Sequence, residues 1–245
     1  MKGCLSKKLL SVGLSLALCA TAVPMVSLSS SAAGTVTPKV ATGRYHTVVL
    51  KADGSVWATG SNSSGQLGIN KTSAQVPKTA TFTQCVDDTG ATIKDATDIA
   101  CGKEHTAVIR AGGQLWQCGD NFHGQLGTGD QDDTPQFVQS KEKTSGNEIT
   151  DAEAVACGSI HTAVIRAGGQ LWQCGYNLYG QLGIGTSGSG TDTSQFVQSK
   201  DDNGTITNVA AVSSGNNQSY TTLILRPDAN GDLELLGAGQ NTSGQ

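Results

Sequence analysis

The chain has 245 residues, 32 of them glycine, with few aromatic side chains and a formal net charge of −4. So much glycine without a three-residue period excludes a collagen-like helix, and recurring apolar runs exclude a disordered chain. Short apolar runs punctuated by glycine predict an all-β protein rich in turns.

Residues 1–33 read as a signal peptide. Lys2, Lys7 and Lys8 precede an apolar run from Leu9 to about Ala20, and Ser31-Ala32-Ala33 before Gly34 is a small-x-small cleavage pattern. The competing reading is an uncleaved anchor, for which the run is short against a span of about 20 residues. Export predicts a secreted or cell-surface protein with no membrane span once the leader is removed. The leader holds three lysines and no acid, so 13 basic residues remain against 20 acidic ones, a balance of −7. Phosphate contacts need clustered Lys and Arg, so no nucleic-acid partner is expected. Cys4 and Cys19 fall in the leader. The other five, Cys85, Cys101, Cys118, Cys157 and Cys174, are odd in number and cannot all pair internally. No C-x-x-C spacing suggests zinc or redox chemistry.

The remainder is repetitive. Residues 106–119, TAVIRAGGQLWQCG, recur unchanged at 162–175. A looser copy runs from Val40 to Asn70, and a fourth begins at Val212. The units fall at about 40–97, 98–153, 154–210 and 211–245, after the leader and within 34–245. In each, a short strand ends in Gly (Ile99 to Gly102), and His105 or its equivalent opens a second strand. Gly112-Gly113 predicts a two-residue hairpin turn, with Asp53-Gly54 at that place in the first unit. A third strand carries Trp116, a loop runs from Gly119 to Gly127, and a weaker fourth strand lies near Pro135–Val138. The strands are nearly continuous apolar runs, which predicts burial on both faces. One four-stranded sheet cannot bury both faces, but sheets stacked around an axis can.

These motifs resemble the regulator of chromosome condensation repeat: Gly-x-x-His-Thr, Gly-x-(Leu/Val)-Trp, then Gly-x-Asn-x-x-Gly-Gln-Leu-Gly. The second unit supplies Gly102, His105, Thr106, Gly113, Leu115, Trp116, Gly119, Asn121, Gly124, Gln125, Leu126 and Gly127. In the fourth, Gln218 and Ser219 take the place of His-Thr and Leu236 that of Trp. The resemblance implies an all-β β-propeller, here about four blades of seven, the last incomplete. The sequence stops inside the motif at Gly244-Gln245, which reads as a truncated piece of a longer protein of secreted bacterial type.

Several residues invite a chemical reading. His46, His105 and His161 resemble a metal set, but each belongs to a different unit. A structural histidine bonding a backbone group within its own blade is the expected role. Trp57, Trp116 and Trp172 recur on strands and are expected in the core rather than on a stacking platform. Cys101 and Cys157 align with Thr42 and Ser214, Cys118 and Cys174 with Thr59 and Ala238, and these four are expected as small buried side chains. Asp130, Asp132 and Asp133 crowd one loop without the EF-hand spacing. No cofactor, metal or catalytic group is expected.

The predicted function is that of a scaffold binding a protein or other macromolecular partner, since propeller loops are where variation is cheap. Phe122, His123, Leu178 and Tyr179 are the candidate partner-binding residues, with the polar tips Asp87–Ala91, Lys141–Asn147 and Asp201–Gly204. The resemblance adds alternatives: an inhibitor of a secreted enzyme, as in a secreted bacterial relative that inhibits β-lactamases, or a guanine-nucleotide exchange factor as among nuclear members, which export disfavours. A hydrolase with a site in the channel is the enzymatic alternative.

Overall fold

The computed structural model describes residues 36–215 and 220–240. The leader, Gln218, Ser219 and the end of the fourth unit (Asn241, Gly244, Gln245) lie outside the described residues.

Three four-stranded antiparallel sheets follow one another in strict chain order. The first holds β1 (Lys39–Thr42), β2 (His46–Leu50), β3 (Val56–Ser61) and β4 (Lys78–Gln84). The second holds β5 (Ala96–Cys101), β6 (His105–Arg110), β7 (Gln114–Gly119) and β8 (Thr134–Gln139). The third holds β9 (Ala152–Cys157), β10 (His161–Arg166), β11 (Gln170–Gly175) and β12 (Thr193–Gln198). A small hairpin, β13 (Lys200–Asp201) with β14 (Gly204–Thr205), leads to a fourth sheet. Among the described residues that sheet has three strands, β15 (Ala211–Ser214), β16 (Thr221–Pro227) and β17 (Leu233–Gly239).

The sheets stack radially. Each first strand packs against the next sheet's first strand, β1 on β5, β5 on β9 and β9 on β15. All four line one cavity of about 240 Å³, among them Thr42, Cys101, Cys157 and Ser214. Inner strands that converge while outer strands splay are the blades of a β-propeller, and the cavity is its channel.

The core lies between blades rather than within them. On β6, Val108 packs toward blade 1 with Val48, Leu50 and Val56, whereas Ala107 and Ile109 pack toward blade 3 with Val155 and Val164. That alternation explains why β6 and β10 read as unbroken apolar runs: both faces are buried. On β2 the same period leaves Val49 half-buried on the face turned from blade 2.

Trp116 and Trp172 are buried and Trp57 is half-buried. Each indole is roofed by a cation, Lys51, Arg110 or Arg166, 4.0–4.9 Å from the ring centre. Each N–H donates to a side chain two residues earlier, Ser55, Gln114 or Gln170. For Trp116 and Trp172 this is core packing, as the recurrence predicted, whereas Trp57 lies at the edge of the core. Trp116→Ala is expected to cost about 3 kcal/mol of stability, read as a lower melting temperature; an unchanged melt would deny the ring its place in the core.

The hairpin turns differ from the prediction. Arg110 pairs with Gln114, so the connection is the three-residue loop Ala111-Gly112-Gly113, with both glycines at positive φ. In the first blade the Lys51 N–H donates to Ser55 O and the Gly54 N–H to Lys51 O, so the loop is again three residues, Ala52-Asp53-Gly54. Of these only Gly54 has positive φ, and Asp53 accepts from the Ser55 N–H and hydroxyl. Asp53-Gly54 and Gly112-Gly113 therefore occupy the same place in loops of one length, which differ in the positive φ that Gly112 has and Asp53 lacks.

Candidate binding face

The glycine-asparagine loop of each blade is built from the inside. The Asn62, Asn121 and Asn177 side chains are fully buried. Each amide oxygen accepts the N–H of the Leu five residues on, and each Nδ2 donates across the loop, as from Asn62 to the carbonyls of Lys71 and Val76. The buried glutamine that follows holds the tip: Gln66, Gln125 and Gln181 accept the N–H of Ser64, His123 and Tyr179 at 2.9, 2.9 and 3.1 Å. The two tip residues before it therefore project from a rigid frame. They are Ser63-Ser64 in blade 1, Phe122-His123 in blade 2 and Leu178-Tyr179 in blade 3.

All four predicted contact residues thus stand at equivalent tips, and three of them join one aromatic row. Phe122 meets His123 edge-on at 5.0 Å, His123 meets Tyr176 at 4.6 Å, and Tyr176 meets Tyr179 and Tyr220 at 6.2 and 5.6 Å. Tyr179 and Tyr220 close the row at 5.3 Å. Phe122 is 72% exposed, Tyr179 40% and Leu178, beside the row, 37%. His123 Nδ1 lies 2.8 Å from an Asp192 oxygen, and the other Asp192 oxygen accepts the Asn177 N–H. That carboxylate pins the blade 2 tip to the blade 3 loop. Burial raises the Tyr176 phenol above its ordinary pKa, helped by Tyr179, Tyr220 and Asp192. Burial likewise raises the Asp120 carboxyl at the foot of the Phe122 tip.

Sequence reasoning missed Tyr176, Tyr220 and Asp192. Tyr176 follows Gly175 where Asp120 follows Gly119, and a repeat alignment marks both as loop positions. That a tip of one blade reaches a loop of the next is a tertiary fact.

The histidines are structural, as expected, but with other partners. His46, His105 and His161 are buried, and each Nε2 lies 2.9–3.1 Å from the hydroxyl of Thr106, Thr162 or Thr222 in the following blade. Their partners are side chains across the blade junction, not backbone groups of their own blade. The Thr106 hydroxyl donates its one proton to the Gln66 carbonyl at 2.7 Å, so it accepts from His46. The ring lies flat over Gly43, where an added Cβ would fall 2.1 Å from His46 Cε1, so the Gly-x-x-His spacing is a packing requirement. Burial lowers the pKa of His46 and His161 to about 4; that of His105 falls to about 3, by burial and then by the other two rings. Among the described residues no His, Cys, Asp and Glu gather as a metal set.

Thr222 also corrects the reading of the fourth unit. Thr221 pairs with Gly239 as His161 pairs with Gly175, so Thr221-Thr222, not Gln218-Ser219, stand at the His-Thr place. The Thr222 hydroxyl is the partner of His161 Nε2.

Other candidates are structural. Asp87, Glu142 and Asp201, in the three polar tips, form ion pairs with Arg110, Arg166 and Arg226 of the following blade, leaving only the outer residues of those tips for contacts. Asp130 accepts from Asn121 and Thr128, and Asp133 accepts the Asn121 N–H. The five cysteines are buried and unpaired. Burial raises Cys101 in the channel wall to about 12, which leaves it no thiolate to attack with at neutral pH.

Two models of the regulator of chromosome condensation (RCC1) repeat family match the chain, one over residues 39–66 and 96–125, the other over 53–109 and 112–165. The chain is 34% identical over 145 residues to the X-linked retinitis pigmentosa GTPase regulator homolog of Caenorhabditis elegans, covering 59% of this chain and 10% of that protein. It is 34% identical over 148 residues to the ultraviolet-B receptor UVR8 of Arabidopsis thaliana, covering 60% of this chain and 31% of that one. It therefore spans less than a third of either relative. Human WBSCR16 superposes with a TM-score of 0.63 at 22% identity, over 81% of this chain and 46% of that chain. Yeast RCC1 (Prp20), solved bound to Kap60, gives 0.58 at 20% identity, over 85% and 45%. At those identities the superpositions speak for the fold. The repeat matches, which together span residues 39–165, show that this chain belongs to the regulator of chromosome condensation repeat family.

Proposed function

We propose that the chain is a protein-binding scaffold whose recognition face is the aromatic row Phe122–His123–Tyr176–Tyr179–Tyr220 with Leu178 beside it. The carrying observation is that rings from three blades line up at loop tips held by buried Asn and Gln, with Phe122 and Tyr179 exposed. Rigid exposed aromatics lose little conformational freedom on binding and dominate interface energetics. One solved relative lends support: yeast RCC1 (Prp20) is bound to Kap60 in one structure and binds Gsp1p and histones. The leader-like residues 1–33 and the acidic balance favour an exported protein with a protein or cell-surface partner over chromatin.

The test is a quantitative pull-down from the producing culture. Phe122→Ser with Tyr179→Ser should weaken capture about 30-fold or more, as loss of an aromatic hot spot does. Ser63→Ala with Ser64→Ala, at the equivalent blade 1 tip, should leave it unchanged. Equal capture by all three, at equal melting temperatures, would move the binding face elsewhere.

A further inference from the structure

The junction of blades 1 and 2 and that of blades 2 and 3 are built alike. Phe137 on β8 and Phe196 on β12 are fully buried, and an added Cβ on Gly68 or Gly127 would fall 2.3 or 2.5 Å from the respective ring. Phe82, in the same register on β4 but with no described blade before it, is 49% exposed, so the wedge belongs to the junction. The loops that carry the aromatic row repeat as well. Gly65 and Gly124 of the leading tips lie so close to Pro135 and Ser194 of the next blade that a Cβ would come within 2.6 and 2.4 Å. Asp133 and Asp192 hold equivalent places, each accepting the N–H of its own blade's asparagine, Asn121 or Asn177, through one carboxylate oxygen.

One group differs. The other Asp192 oxygen accepts from His123 Nδ1 of the leading tip. Ser64 stands at the place of His123 in blade 1, no hydrogen bond links it to Asp133, and the second Asp133 oxygen has no partner among the described residues. A pocket of about 130 Å³ lies there instead of an imidazole, lined by Ser63, Ser64, Thr72, Ser73, Asp133 and Pro135. Both of its walls belong to complete four-stranded blades.

The surroundings of the pocket are acidic and lack a counter-ion. Burial, and then the like charges of Asp133 and Glu104, hold the Asp120 carboxyl above its ordinary value. Among the described residues none of these three carboxylates forms an ion pair. Arg44 and Lys103, in the turns before β2 and β6, are not paired with them, and the Arg44 guanidinium lies over the Tyr45 ring at 4.8 Å. At the opposite end of the blades the chain neutralises its own acids, Asp87 with Arg110, Glu142 with Arg166 and Asp201 with Arg226. Unpaired negative charge beside exposed rings attracts a cation, by Coulomb attraction to the carboxylates and by the negative ring faces.

We infer that the pocket between the blade 1 tip and the blade 2 loop receives a lysine or arginine side chain of the partner protein, which donates to the free Asp133 oxygen as His123 donates to Asp192. Flanking residues of that basic segment lie on Phe122, which follows the asparagine that Asp133 holds. The inference rests on the proposed binding face and names the chemistry of its partner.

The probe is a short fluorescein-labelled peptide of alternating arginine and glycine, titrated against the full chain at physiological ionic strength and read by anisotropy. Saturable binding is expected, weaker by about fivefold in Asp133→Asn, as loss of one charge-assisted hydrogen bond at a surface site implies. Asparagine keeps an oxygen that can accept the Asn121 N–H, so the loop is retained. Ser64→His should cost as much, because an imidazole there fills the pocket and occupies Asp133. Ser63→Ala with Ser64→Ala leaves the carboxylate and the space in place, and Asp88→Asn removes an equal charge from an exposed tip at the other end of the blades. Neither should change the affinity. Equal affinity of Asp133→Asn, Ser64→His and the unaltered chain, at equal melting temperatures, would overturn the assignment. So would an equal loss in Asp88→Asn, which would reduce the effect to net charge. Should the peptide not bind while Phe122→Ser with Tyr179→Ser still weakens capture of the partner, the face stands and the basic segment does not.

Discussion

Phe196→Ala is expected to destabilise the chain by about 4–5 kcal/mol, at the upper end for a buried aromatic, whereas Phe82→Ala should cost under about 1 kcal/mol. The two residues share one type and one register, so propensity and hairpin geometry cancel in the comparison. What differs is the surroundings. Phe196 has no exposed surface and packs with Leu115, Ile149, Trp172 and Cys174, and its ring sits directly under Gly127. A hole left there is walled by paired strands that cannot collapse into it. The main-chain bonds of Phe196 to Lys141 and Lys143 survive the substitution, so the loss reports the ring alone. Denaturant unfolding of the two variants measures the difference. Equal costs would mean that the junctions do not depend on the wedged ring.

The second large effect is loss of stability on mild acidification. His46, His105 and His161 titrate near 6.5 when unfolded, but burial holds them at about 4, 3 and 4 in the fold. Below 6.5 the unfolded chain takes up protons that the folded chain refuses, so stability falls as pH falls. The contribution is fully present above about pH 6.5 and is lost down to about pH 4, of order 3 kcal/mol for each ring. Protonation would also give Nδ1 a proton, and that atom has no partner in any of the three rings. The carboxylates act in a lower window. Ser145 and then Arg166 hold Glu142 below its ordinary value, and the Asn203 N–H and then Arg226 do the same for Asp201, so their contributions vanish only as carboxylates protonate. Unfolding free energies at pH 7.5, 6 and 5 should therefore drop steeply above the range in which Glu142 and Asp201 titrate. His105→Gln should flatten that slope by about a third while lowering the plateau. A flat profile between pH 7 and 5 would show that the rings are hydrated or already charged.

Both expectations rest on the junctions, and the junctions were only partly legible in the residues. The repeated His-Thr reads as one motif, yet each histidine bonds the threonine of the following unit, not its neighbour in sequence. The fourth unit misled for the same reason. Counting from the glycine picked Gln218-Ser219, whereas the ladder with β17 sets the register and brings Thr221-Thr222 into place.

The candidate face divides in the same way. Phe122, His123, Leu178 and Tyr179 stand out in the sequence because they are large residues at tips where blade 1 has Ser63-Ser64. Tyr176, Tyr220 and Asp192 do not, because their importance comes from reaching across a junction.

The order of residues alone determined the four units, the strands within them and the need to bury both faces of each sheet, because those follow from period, glycine placement and apolar runs that act over a few residues. The tertiary structure alone decided which histidine meets which threonine, that loop rings form one row, and that two phenylalanines are wedged while Phe82 stands half in water. Those outcomes depend on the neighbouring blade, and desolvation and close packing are set by what lies across a junction some 60 residues away in sequence.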